Sequence, residues 1–154
     1  CSAVASVLSP SKASCISSPI SCTNLKSIKN IKTKEFPGYP TVLQAQLIAS
    51  LLKVGQKSNI TENIFENRFI HIPELRRFGA QLDIVGNTVV INKTNDLFGA
   101  EVMATDIRAS FSLIIAAIIS KGTTTINRIY HLDRGYEDFD LKLKKCGVNI
   151  KRKK

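Results

Sequence analysis

With 154 residues the chain has the length of about one domain, and its 44% hydrophobic residues suffice to bury a core, which excludes a chain disordered throughout. A formal charge of +10 and a pI near 9.7 favour anionic partners without choosing among nucleic acid, phosphorylated metabolites and acidic membranes. The cysteines at 1, 15, 22 and 146 form no C-x-x-C pair and stand far from His71 and His131, which excludes the usual zinc spacings, and the apolar run "LIIAAII" (113–119) is too short to span a bilayer.

Residues 1–27 are Ser-rich, acid-free and hold three of the four cysteines. They read as a leader that is disordered or unrelated to the rest of the chain; an organelle transit segment has the same composition. The chain starts at Cys1 and its single Met is Met103, the mark of an excerpt or a processed product. A strand is expected in "SIKNIKT", followed by a helix opened by Thr41 as N-cap, with Gln44 completing a capping box. Leu43, Leu47, Ile48, Leu51 and Leu52 recur at helical spacing and face a core. After Gly55 come the β-rich "SNITENIF" and a second helix ending at Gly79, which fits a left-handed cap. "QLDIVGNTVVIN" then reads as two strands joined by a tight turn at Gly86-Asn87.

The pattern then begins again. "GAEVMA" is a strand, Thr105 opens a helix, "TTTINRIY" is β-rich, and a further helix ends at Gly147. Thr41 and Ala45 match Thr105 and Ala109 at one offset; after small length changes Gly55 matches Gly122, Ile60 matches Ile126, Arg68 matches Arg134 and Gly79 matches Gly147. Aligning "NRFIH" (67–71) with "NRIYH" (127–131) leaves the distances from Arg to the closing Gly unequal and is rejected. The fold class is therefore α/β, built of βαβαββ units: one complete over 28–94, one nearly complete over 95–154 and ending in the basic tail "KRKK".

"FPGYPT" and "LQAQ" around residue 42, "ENIFENRFIHIPELRRFGA", "GNTVVIN", "GAEVMATDIRAS" and "RIYHLDRGYE" carry a resemblance from about Ile28 to Arg152. The sequence resembles the UDP-N-acetylglucosamine 1-carboxyvinyltransferase family of enolpyruvyl transferases; "FENRF" and "YHLDRGYE" set it nearer to these sugar-nucleotide enzymes than to the related enolpyruvylshikimate phosphate synthases. The resemblance implies an inside-out α/β barrel fold, in which each of two domains holds three βαβαββ units and the active site lies between the domains. About two units of one domain are present here, as in a C-terminal fragment. The implied chemistry moves enolpyruvyl from phosphoenolpyruvate to the 3-hydroxyl of UDP-N-acetylglucosamine in peptidoglycan precursor synthesis, a cytoplasmic reaction with no cofactor and no metal. The partners implied are these two ligands and the N-terminal domain, with the family's cysteine loop and Lys-Asn pair, while neither a membrane nor nucleic acid is implied.

The implied site residues are few. Arg68, Arg108 and Arg134 match the family's anion-binding arginines, a role that suits a planar, permanently charged fork. Without the resemblance, arginines at helix starts and in loops read as solvated charges. Asp106 matches an aspartate near the arginine of the motif, and by itself reads as an acid favoured in the first turn of a helix. Ile64 matches a position whose backbone contacts the uridine nucleotide, and by itself reads as strand core. His71 and His131 read as structural.

Val42 stands where the family has the aspartate proposed to take the proton from the sugar hydroxyl and to bind the sugar. Valine has no lone pair and no titratable proton. The helix tolerates it; the implied reaction does not. The fragment is therefore expected to be inactive alone. The alternative is a basic, non-enzymatic module binding polyanions such as nucleic acid, against which stand 6% aromatic residues and no nucleic-acid motif.

Overall fold

In the computed structural model, which describes Val4–Leu8 and residues 28–54 and 56–153, two four-stranded sheets each carry a helix, and these two helices pack on one another. The first repeat runs β2 (Asn30–Lys32), α1 (Gln44–Val54), β3 (Ser58–Thr61), α2 (Ile72–Arg76), β4 (Leu82–Val85) and β5 (Thr88–Ile91). This is the expected βαβαββ order. β2 lies parallel to β3, β3 antiparallel to β5, and β5 antiparallel to β4, so the spatial order is β2-β3-β5-β4. The parallel pair needs a crossover, which α1 supplies; the antiparallel pair needs only Gly86-Asn87. Ser58 and Ile60 point to the core while Asn59 and Thr61 face outward, the period of two of a half-buried sheet.

The second repeat runs β6 (Glu101–Met103), α3 (Ile107–Ile119), β7 (Thr123–Asn127), α4 (Tyr130–Asp133), α5 (Phe139–Lys145) and β8 (Asn149–Lys153). Its sheet has the order β6-β7-β1-β8, where β1 is Val4–Leu8. β1 lies antiparallel to β7 and to β8, just as β5 lies antiparallel to β3 and to β4. β1 thus occupies the place that β5 fills in the first repeat. For these five residues the expectation of a disordered or unrelated leader is replaced by a strand; two open edges of backbone N–H and C=O groups provide the pairing. The rest of the leader, with Cys1, Cys15 and Cys22, lies outside the described residues, as does Gly55.

The "KRKK" tail is also corrected, because its first three residues belong to β8. Arg152 pairs with Asp133, lies 3.9 Å from Asp140, and stacks over the Phe139 ring, so its charge is used within the fold. Gly79 and Gly147 have φ of +88° and +87°, the left-handed conformation expected at both helix ends.

The core lies between the sheets. α3 buries Leu113, Ile114, Ala116 and Ala117, and α1 buries Ala45, Ile48, Ala49, Leu51 and Leu52. Alanines on both helices permit the close approach of α1 to α3. Leu43, expected in this core, is instead 49% exposed, because residues 41–43 form a 3-10 turn before α1 begins. No helix among the described residues is long and apolar enough to cross a membrane.

Candidate anion-binding site at the junction of the repeats

The two long helices start side by side, with different chemistry at each start. α3 is opened by Asp106 in extended conformation; its Oδ1 accepts the backbone N–H groups of Arg108 at 2.8 Å and Ala109 at 2.9 Å. Asp106, not Thr105, is therefore the N-cap, and the buried Thr105 hydroxyl finds no partner among the described residues. Asp and Thr are both good caps, and the one whose backbone is extended at the helix boundary takes the role.

In the first repeat the corresponding cap is absent. Pro40 occupies the boundary, no side chain bonds the free N–H groups, and Gln44 makes no capping box: its Nε2 is buried without a partner. Thr41 donates to Glu62 Oε2 at 2.7 Å instead.

A cavity of about 110 Å³ opens where these starts meet, lined by Thr41, Gln44, Glu66, Asn67, Arg68, His71, Asp106 and Arg108 among others. Of the implied site residues, Arg68, Asp106 and Arg108 are brought together here. Arg68 is half-buried, has its guanidinium carbon 3.9 Å from the Phe65 ring centroid, and keeps Nη1 buried without a partner. Arg108 Nε is 3.9 Å from Asp106 Oδ1, an ion pair too long for a hydrogen bond. Gln44 Nε2 and Arg68 Nη1 are thus buried donors without acceptors at one small cavity. Such donors demand an oxygen, from water or from an anion.

His71 is 3% exposed and its Nε2 is likewise unpartnered. Burial pushes its pKa down to about 4, against the charge of Asp106 and a hydrogen bond with the Arg68 backbone, which both act upward. The ring is therefore neutral at pH 7, and the cavity's positive charge comes from the two arginines.

The other implied residues lie apart from this cavity. Ile64 is half-buried on an adjoining, open pocket of about 730 Å³ with Asn63, Phe65, Ile70, Ile84 and Asn87. Val42 is 56% exposed, one residue past Thr41. Arg134 is exposed at the end of α4. Its neighbour Gly135 presses so closely on Ile107 that a Cβ there would meet the Ile107 side chain at 2.0 Å, which places this corner against the start of α3.

Glu62, Gln44 and His71 were not singled out by the sequence as site residues. Glu62 accepts hydrogen bonds from Thr33, Thr41 and the backbone of Ile64 and Phe65. Burial raises its pKa, but these four bonds outweigh burial and hold it below its ordinary value. Among the described residues no group of three or more His, Cys, Asp or Glu could hold a metal ion.

Residues 10–143 match the family described as EPSP synthase (3-phosphoshikimate 1-carboxyvinyltransferase). Proteins named UDP-N-acetylglucosamine 1-carboxyvinyltransferase are similar to the chain: that of Pelagibacter ubique is 57% identical over 129 residues, covering 82% of this chain and 31% of its own length. That of Rhodopseudomonas palustris (strain TIE-1) is 55% identical, covering 79% and 28%, and that of Campylobacter lari 51%, covering 86% and 32%. In structure the chain is similar to the enolpyruvyl transferase NikO from Streptomyces tendae, with a TM-score of 0.73 at 26% identity, covering 84% of this chain and 30% of that one. The chain spans about a third of the length of these relatives, and with a family match over residues 10–143 it belongs to the EPSP synthase family of enolpyruvyl transferases.

Proposed function

We propose that the chain is part of the C-terminal domain of an enzyme of the UDP-N-acetylglucosamine 1-carboxyvinyltransferase type, acting in the cytoplasm and inactive without the rest of the molecule. The observation that carries this reading is the meeting of Arg68 and Arg108 at one small cavity beside the start of α3. Two guanidinium groups there suit the carboxylate or phosphate of phosphoenolpyruvate, and unpartnered donors on Gln44 and Arg68 are poised to bond its oxygens. Asp106 is held rigidly as a cap and keeps Arg108 beside the cavity. Arg134 joins the anion site from the neighbouring corner once the second domain closes over it. Ile64 offers its backbone to the nucleotide sugar, and residue 42 faces the sugar hydroxyl.

In this reaction the 3-hydroxyl oxygen bonds to C2 of phosphoenolpyruvate as its proton passes to a base and C3 takes up a proton; C3 then gives up a proton as the C2–O bond to phosphate breaks, which restores the double bond and releases phosphate. Val42 cannot receive that proton. The test replaces the matching region of an active relative with residues 28–154 and follows phosphate release dependent on UDP-N-acetylglucosamine. The isolated chain releases none, and the chimera carrying Val42→Asp turns over. Phosphate release by the chain alone, or a Val42→Asp chimera that binds both substrates and stays inert, overturns the proposal.

A further inference from the structure

Glu62 is 3% exposed, and none of the ion pairs among the described residues includes it. Its carboxylate is held by hydrogen bonds alone. Oε1 accepts from Thr33 Oγ1 at 2.8 Å, from the Ile64 N–H at 3.0 Å and from the Phe65 N–H at 3.3 Å; Oε2 accepts from Thr41 Oγ1 at 2.7 Å. Thr33 Oγ1 in turn accepts the Asn63 N–H at 2.9 Å. One side chain therefore joins the end of β2, the start of the α1 segment and the loop after β3.

The second repeat shows that the fold itself does not require this. β2 and β3 place Lys32 opposite Thr61, and β6 and β7 place Met103 opposite Asn127, so the next residues, Thr33 and Glu62, correspond to Ala104 and Arg128. Ala104 is buried and apolar, while Arg128 turns outward to Tyr130. The same strand–helix–strand arrangement forms there without a carboxylate.

We infer that Glu62 is a positioning residue that sets residue 42 and the 63–65 backbone in a fixed mutual position, so that both meet one nucleotide-sugar ligand. The ligand's identity rests on the function proposed above; the positioning does not. Glu62→Met keeps length and removes both acceptors, whereas Glu62→Gln keeps one acceptor for the loop and donates to the Thr41 hydroxyl. In the full chain, amide hydrogen exchange at Ile64 and Phe65 should quicken about tenfold or more in Glu62→Met, with Ile60 and Val89 unchanged, and return to within about threefold in Glu62→Gln. Unchanged exchange at Ile64 and Phe65, or equal quickening at Ile60 and Val89, overturns the inference. In the Val42→Asp chimera, Glu62→Met should raise KM for UDP-N-acetylglucosamine about tenfold and leave KM for phosphoenolpyruvate within about twofold. Equal rises in both overturn the assignment to the nucleotide sugar. An inert chimera counts against the proposed function, and the exchange experiment then decides the positioning by itself.

Discussion

The two repeats begin their long helices at equivalent places and solve the same problem differently. In the second, Asp106 satisfies two free N–H groups of α3. In the first, the equivalent residue is Val42, no side chain caps the turn, and Thr41 anchors it sideways to Glu62. The acid of the second repeat is bound into structure. Position 42 carries no structural duty, its side chain is largely exposed, and any group placed there is free for chemistry. The side chain at position 42 can therefore change without loss of the fold.

The largest effect that sharpens this contrast is catalytic. In the chimera, Val42→Asp should raise turnover by ~10²–10⁴, equivalent to roughly 3–5 kcal/mol of barrier, with smaller changes in KM. Equal turnover with valine and aspartate breaks the contrast.

The next concerns His71, a residue of the first repeat that faces Asp106 of the second. Its folded pKa of about 4 lies below the ordinary 6.5, so between these values the unfolded chain binds a proton that the folded chain refuses. Its contribution is fully present above pH 6.5 and is lost as pH falls toward 4, by up to about 1.4 kcal/mol per pH unit. Urea denaturation across this window should show a weaker pH dependence in His71→Gln than in the parent. An unchanged slope refutes the buried, neutral ring.

Smaller still is the cap. Asp106→Ala should destabilise the chain by about 1–2 kcal/mol in denaturant titration, and Asp106→Asn by much less, since asparagine also caps. The smallest effect is at position 42 itself, where Val42→Asp should stabilise by only ~0.3–1 kcal/mol through the helix dipole. A gain matching the loss at Asp106 would make position 42 a cap and erase the difference between the repeats.

Features set by neighbours in sequence were legible: the left-handed Gly79 and Gly147, the Gly86-Asn87 turn and the buried Ile48, Leu51 and Leu52 of α1 all follow from local spacing. The helix starts were not. "TD" and "TV" offer a capping Thr in each repeat, and only the backbone course decides that Asp106 caps and that Thr41 is drawn away. Glu62 was hidden because its partners, Thr33 and Thr41, lie far from it in sequence. Of the site residues, Arg68, Asp106 and Arg108 came through family motifs, since no spacing rule joins 68 to 108. Gln44 joins them because α1 packs on α3, and His71, at the start of α2, because α2 also touches α3.

The place of β1 bears on the order in which the molecule assembles. The first sheet closes through neighbours, β4 turning directly into β5. The second cannot, because Leu8 faces both Thr123 and Asn149. The partners of β1 lie far along the chain from it, and long-range pairing of this kind is slow. The first repeat can therefore form while β7 still shows an open edge, and among the described residues Val4–Leu8 has no strand partner until Thr123–Asn127 has been made.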